Sequence, residues 1–405
     1  LHNLKYPVDQ AVAGALFPLV DVNESISSQS HLPWAQPDAF PEKLPGQDYG
    51  YVLRGKAVGC SREQLIRRVT SGGVPIIDLA WHPDSQRVQP VSHIPFLLEA
   101  LRTRAQRRMR ARLLIGIFNL LFFGWLAYTS RRSASHGAFA MWLMLAFLGG
   151  LLQIVQGYRS LRFIKSVRWN EWNVDQDAER YRVWVGSRPL QFTWLFLGML
   201  GTLCLLELIE GIQGPIKAAG LDKTAIRHGE WWRLFTGPLL HGSILHFVFN
   251  ATALVGLSRL IEVLTTRYHL AVTFAFSLIT GSLFSMLWMP GKMSVGASGG
   301  LLGLIGFLFV LGYRRKRHLP PGFAINMAIN IALVAVMGTF AYKIVDNAAH
   351  LGGLMGGLIL GCALVPRNDP TLPLPASENL ARAGKLATAL LLGFAGFAAC
   401  KIVLK

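Results

Sequence analysis

The feature that most limits what this chain can fold into is a series of nine apolar runs, at about 113–128, 137–155, 192–209, 234–262, 270–288, 297–313, 323–344, 348–365 and 386–403. Each is close to or above the roughly 17 to 25 residues that a helix needs to cross a lipid hydrocarbon core. Backbone polar groups have no water to bond in lipid, so such runs must satisfy themselves as helices. With 52% hydrophobic and only 15% charged residues, an ordinary soluble enzyme is excluded. The expected fold class is mainly α, a polytopic membrane protein.

Charge sets the expected orientation. Six arginines fall between Arg102 and Arg112, just before the first run, and Arg159, Arg162, Lys165 and Arg168 follow the second. Cytoplasmic loops carry such excess, so the segment before the first run is expected inside, in a bacterial inner (plasma) membrane. Arg131 and Arg132 oppose this assignment, while nine spans threaded from it put Arg314, Arg315, Lys316 and Arg317 inside as well. The net charge of +18 is thereby assigned to membrane topology, and nucleic acid is not an expected partner.

Five regions are expected. Residues 1–105 form a small α/β N-terminal soluble domain, with strands in YGYVLRGKAV and VPIIDLAW and helices in SREQLIRRV and PFLLEALRTRAQRR. Residues 106–168 form a two-helix transmembrane hairpin, 169–190 a polar surface linker, 191–365 a six-helix core, and 366–405 a linker and one further span. His31, His82 and His93 are isolated and read as satisfied surface histidines. Cys60, Cys204, Cys362 and Cys400 show neither a disulfide framework nor zinc-ligand spacing. Leu1 opens the sequence without a signal-peptide pattern, which fits a true start upstream.

The chemistry lies where apolar runs meet polar loops: GEWWRLFTGPLLHGSILHFVFN from Gly229, GASGG from Gly296 and NAAHLGG from Asn347. Polar side chains at membrane depth are costly and read as functional. Threading puts Ser298 and His350 in the first turns of two spans that both run from outside to inside, so they share a depth. Serine needs a base, and His350 is the one histidine after Ser298 within an apolar segment. Gly296, Ala297, Ser298 and Gly299 open a helix whose free N–H groups favour an oxyanion. His246 and Asn250, four apart, stand on one face of an earlier span and can supply further donors. His241, Trp232 and Arg233 lie nearer the external end and shape the entrance. Asp346 is the one aspartate at this depth, which excludes a two-aspartate mechanism. No HExxH occurs, so no metal and no cofactor is expected.

Each fragment also has a packing reading. GASGG matches small-residue helix contacts, and Gly353, Gly357 and Gly361 at four-residue spacing let the His350 helix approach a neighbour. GASGG fits the G-x-S-x-G elbow too, but no strand precedes it. A transporter would place polar residues along a path to the inner face, where Asn326 and Asn330 are the only support and read better as interhelical hydrogen bonds. The conjunction of a serine and a histidine at one depth favours catalysis.

These residues together resemble the rhomboid family of intramembrane serine proteases, over Phe192 to about Val365. The resemblance rests on the WR at Trp232 and Arg233, HxxxxHxxxN at His241, His246 and Asn250, the helix-ending Glu262, GxSG at Ser298 and AHxxG at Ala349 to Gly353. It implies a rhomboid-like six-helix core, to which the apolar runs outside the resemblance add two extra N-terminal and one extra C-terminal transmembrane helices. It also implies Ser298 as nucleophile and His350 as base without a third acidic member, an oxyanion site from the Ser298 N–H with His246 and Asn250, and structural roles for Arg233 and Glu262. The substrates would be transmembrane proteins, cut in the lipid bilayer near its external face where Gly, Ser, Ala or Pro loosens the helix. Leu302 departs from the pattern, because many members carry an aromatic residue there that stacks on the histidine. A catalytically inactive member that binds membrane clients would share the fold, but such proteins usually lack the serine or the histidine.

Overall fold

The computed structural model describes residues 32–36, 38–53, 55–72, 77–131, 136–166, 176–291, 293–342, 345–367 and 371–404. His31, Arg132, Arg168 and parts of the expected 74–81 strand, the 169–190 linker, the 323–344 run and the 366–385 linker lie outside the described residues. The chain divides into two compact units, Leu1–Arg188 and Pro189–Lys405.

In the first unit, β1 (Tyr49–Leu53) and β2 (Lys56–Cys60) pair as an antiparallel hairpin, with Tyr49 opposite Cys60 and Leu53 opposite Lys56. α1 (Arg62–Ser71) starts at a capping box in which Ser61 and Gln64 satisfy each other's backbone N–H groups. β3 (Leu79–Trp81) and β4 (Gln89–Pro90) complete a four-stranded sheet of order β2-β1-β3-β4. Its core holds Leu65 and Val69 from α1 against Ile77, Ala80, Val91 and Ile94.

α2 (Leu98–Ser130) is one 33-residue helix that joins what the sequence suggests as a soluble helix and a separate first span. No Gly or Pro interrupts the arginine-rich stretch, so nothing ends the helix before the apolar run begins. Its buried Arg104 donates from Nη1 to the Ile77 carbonyl (2.9 Å) and forms an ion pair with Asp78 (3.7 Å). The second arm of the hairpin is α3 (His136–Leu145) and α4 (Leu152–Ser166), joined by a π-helical segment, Ala146–Leu151. The Asn119 side-chain amide donates to the Gly149 carbonyl (2.9 Å), a backbone acceptor within that segment.

Two readings of this unit change. α5 (Gln176–Ser187) is not a uniformly charged surface stretch, because helical spacing collects Glu179, Val183 and Trp184 on a buried face, with the Trp184 ring 5.8 Å from that of Trp34. His93 is not a satisfied surface histidine either: its Nε2 is buried and has no hydrogen-bond partner among the described residues. Burial, with a smaller contribution from Arg180, pushes its pKa down to about 4.

The second unit carries α6 (Phe192–Ile209), α7 (Gln213–Ala219), α8 (Lys223–Arg227), α9 (Arg233–Thr236), α10 (Ile244–Leu264) and α11 (Arg267–Trp288). α12 (Ser298–Arg314), α13 (Phe323–Phe340), α14 (Asn347–Leu364) and α15 (Glu378–Val403) follow. Among the described residues, seven helices of the chain are long and apolar enough to cross a membrane, and α12 is apolar at 17 residues. The protein is an integral, multi-pass membrane protein. The apolar run expected to span from Leu234 starts its long helix only at Ile244. Pro238 and the β-region Ser243, whose side chain caps His246 N–H at 3.2 Å, separate the short α9 from α10. Asn330 donates to the Asn326 carbonyl of its own helix (2.8 Å), which replaces the expected interhelical bond.

α12 lies at the centre, against α10, α11, α13 and α14, and is buried over most of its length. Glu262, near the end of α10, accepts from the N–H groups of Gln191, Phe192 and Thr193 and from the Thr193 hydroxyl, at 2.7 to 3.0 Å. A carboxylate thus sits on the otherwise unsatisfied first turn of α6, where the helix dipole favours negative charge.

Candidate active site

Ser298 is the first residue of α12 and His350 stands in the first turn of α14. What brings them together is glycine packed on glycine. A Cβ at Gly353 would lie 1.9 Å from the Gly299 carbonyl oxygen, and one at Gly357 would lie 1.9 Å from that of Gly303. These glycines repeat at four residues on both helices, so the backbones touch along one seam, as small residues allow between membrane helices. At the end of that seam, Ser298 Oγ and His350 Nε2 are 2.8 Å apart. In the tautomer a general base needs, the hydroxyl donates to Nε2 and Nδ1 carries the proton; among the described residues the buried His350 Nδ1 has no hydrogen-bond partner, carboxylate or other. Leu302 is buried one turn on, and among the described residues no aromatic ring stacks on His350. Phe307 is engaged elsewhere, 6.0 Å from the His269 ring.

The approach to Ser298 passes under His246. Gly296 has φ +123°, and a Cβ there would meet His246 Cε1 at 2.4 Å, so both the backbone conformation and the imidazole face demand glycine. Its N–H donates to the Gly237 carbonyl (3.4 Å), which ties this segment to the stretch before α10. His246 and Asn250 share a face of α10, and the buried Asn250 Nδ2 has no acceptor among the described residues. In α12 the Leu301 N–H is bonded to the Ala297 carbonyl (3.1 Å), and the N–H groups before it are those a helix leaves unpaired. One hydroxyl, one base and a set of unspent donors therefore lie around a single small region, which is the inventory that acyl transfer requires.

The other residues singled out from sequence frame this region. His241 is buried, with its ring 5.3 Å from that of His246 and neither ring nitrogen hydrogen-bonded among the described residues. Its backbone N–H donates to both oxygens of Glu207, at 2.8 and 3.0 Å. Arg233 is clamped by Glu230 and donates to the carbonyls of Lys217 and Gly220, at 3.1 and 3.0 Å. The Trp232 ring meets Phe397 of α15 edge-on at 5.2 Å. Gly299 faces the Ala349 carbonyl, and Glu262 belongs to the α6 cap described above. Sequence reading missed Glu207 and the grouping of Lys223, Ser285 and Ser294 around Asp346, which it noted only to exclude a two-aspartate mechanism. A lone carboxylate inside the apolar run 192–209 was the available signal for Glu207.

The fold and this site define a polytopic membrane protein with a serine–histidine pair at the end of a glycine-packed helix seam. The family model for the rhomboid domain matches residues 228–367. The chain is 30% identical over 207 residues to rhomboid protease GluP of Bacillus subtilis (strain 168), covering 50% of this chain and 40% of that one. It is 31% identical over 146 residues to the candidate rhomboid protease YdcA of the same organism, covering 36% of this chain and 72% of that one. Similarity also extends to human inactive rhomboid protein 2, at 28% over 139 residues, covering 34% of this chain and 16% of that one. The chain belongs to the rhomboid family. It spans less than half the length of GluP and of RHOMBOID-like protein 6, mitochondrial, of Arabidopsis thaliana.

Proposed function

We propose that this chain is an intramembrane serine endopeptidase in which Ser298 is the nucleophile and His350 the general base. The observation that carries the reading is the 2.8 Å separation of Ser298 Oγ and His350 Nε2 in a chain of this family. His350 takes the hydroxyl proton as Oγ attacks the scissile carbonyl, and later delivers it to the leaving amine. The developing oxyanion is met by the Ser298 N–H and by the side chains of His246 and Asn250; removing one such donor typically costs about 10²- to 10³-fold in rate. Water then hydrolyses the acyl-enzyme, again with His350 as base. The chain needs no metal and no cofactor for this sequence of steps.

The substrates are transmembrane protein segments. A helix exposes its carbonyls only where it partly unwinds, so Gly, Ser, Ala or Pro near the substrate's external interface favours cleavage. The arginine-rich start of α2 supports a cytoplasmic N-terminal soluble region and a dyad toward the external face of a bacterial inner membrane. In this organisation residues 1–105 are a cytoplasmic domain, 106–168 a hairpin, 169–190 a connector, 191–365 the catalytic core and 366–405 an appended linker and helix.

Similarity to an inactive member supports a second reading, client binding without hydrolysis. A serine-directed fluorophosphonate separates the two. The wild type in detergent is expected to label at Ser298, and Ser298→Ala and His350→Ala are expected not to. A folded wild type that is neither labelled nor able to cut a panel of single-span proteins would leave the client-binding reading.

A further inference from the structure

A buried charged cluster joins three chain segments beside the dyad, and it takes no part in the chemistry outlined above. Lys223, at the start of α8, has a fully buried side chain, and Nζ donates to Ser294 Oγ (2.7 Å) and lies 3.8 Å from Asp346 Oδ2. The hydroxyls of Ser294 and of Ser285, on α11, both donate to the same Asp346 oxygen. The other carboxylate oxygen accepts from the Ala349 N–H (2.9 Å), so Asp346 is the N-cap of the helix that carries His350. The His350 N–H, in turn, is bonded to the Asp346 backbone carbonyl (3.1 Å).

The same cluster fixes the other half of the dyad. Leu221 and Ser294 exchange both backbone hydrogen bonds, at 3.0 and 3.2 Å, in an isolated bridge. Two residues on, Gly296 bonds Gly237, and Ser298 follows. The strand-like segment leading into the Ser298 helix and the cap of the His350 helix are therefore pinned to one ammonium group.

We infer that Lys223 and Asp346, through Ser294, are positioning residues that set the distance between the Ser298 hydroxyl and the His350 ring; this rests on the hydrolase reading above. Neither residue touches the reacting atoms. The glycine seam lets the two helices approach, but a smooth contact of small residues does not by itself fix their sliding or the angle of their first turns. A buried ion pair with directional hydroxyl bonds does, because moving one group by an ångström leaves a charge unpaired away from water. Misplacement on that scale can cost about 100-fold in rate.

The experiment measures both the rate and the final extent of fluorophosphonate labelling of the full chain in detergent. The variants are Lys223→Met, Asp346→Asn, which keeps an N-cap oxygen, and the double variant. Expected results are labelling that still reaches the wild-type stoichiometry but about 10- to 100-fold more slowly for each single variant. The double variant should be no slower than the slower single variant, because the two act as one unit. If Lys223→Met does not fold, Ser294→Ala, which strands a weaker group, is expected to slow labelling about 10-fold, and Ser294→Thr to restore it. Wild-type rates with a reduced stoichiometry would show a merely structural role and overturn the inference, as would losses that multiply in the double variant. A wild type that is not labelled at all removes the hydrolase reading, and this inference with it.

Discussion

Replacing Gly353 by Ala adds one methyl group at one of the two tightest points of the α12–α14 seam, the one nearer the dyad. The new Cβ would lie 1.9 Å from the Gly299 oxygen and 2.5 Å from its carbonyl carbon, and both are backbone atoms that no rotamer change can remove. Reaching even 3.0 Å, the shortest contact that real Cβ atoms show, requires the helices to part by about 1.1 Å. Applied at the neighbouring turn, that shift opens the Ser298–His350 contact from 2.8 to about 3.9 Å, beyond hydrogen-bond range. Overpacking of this kind costs about 1–3 kcal/mol of stability, and the displaced base about 100-fold in rate. Thermal unfolding in detergent reads the first, and fluorophosphonate labelling well below the midpoint reads the second. Gly393→Ala is the control: its Cβ meets nothing within 4 Å, and the exchange should be neutral or stabilise by up to about 1 kcal/mol. If Gly353→Ala labels at the wild-type rate while folded, the glycine seam does not hold the dyad, and the geometric reasoning fails.

Gly296→Ala meets both the His246 ring and a positive φ, and is expected to lower the labelling rate by at least about tenfold, with Gly296→Ser no better. Glu262→Ala leaves the first turn of α6 without its acceptor and should lower the thermal midpoint by the equivalent of about 2–3 kcal/mol; the labelling rate of the folded fraction is expected to stay within about twofold. The folded pKa of His93, about 4, lies below its ordinary 6.5, so the unfolded chain takes up the proton first as pH falls. Stability of the N-terminal unit is then fully present above about pH 6.5 and declines toward pH 4, by on the order of 2–3 kcal/mol. Hydrogen exchange at β1 and β3, corrected for intrinsic rates, should show that slope in the wild type and a flatter one in His93→Gln.

Much of this protein was legible along the chain because hydropathy is a local quantity. Any run such as 192–209 or 386–403 announces a helix without reference to its neighbours, and a serine or histidine in such a run stands out because lipid penalises it. Ser298 and His350 could even be assigned a common depth by threading, and the strand character of YGYVLRGKAV showed in its own pattern, although its pairing with itself as a hairpin did not. Tertiary structure decided what depends on pairs distant in sequence. The burial of Trp184 against Trp34 comes from a packing partner that no local window contains. Glu207 finds the His241 N–H, and Lys223 finds Ser294 and Asp346, only after several helices have assembled. A charge at the end of an apolar run reads equally well as a solvated loop residue or a buried clamp. The difference lies in whether water can reach it, and water access belongs to the assembled bundle, not to any segment of it.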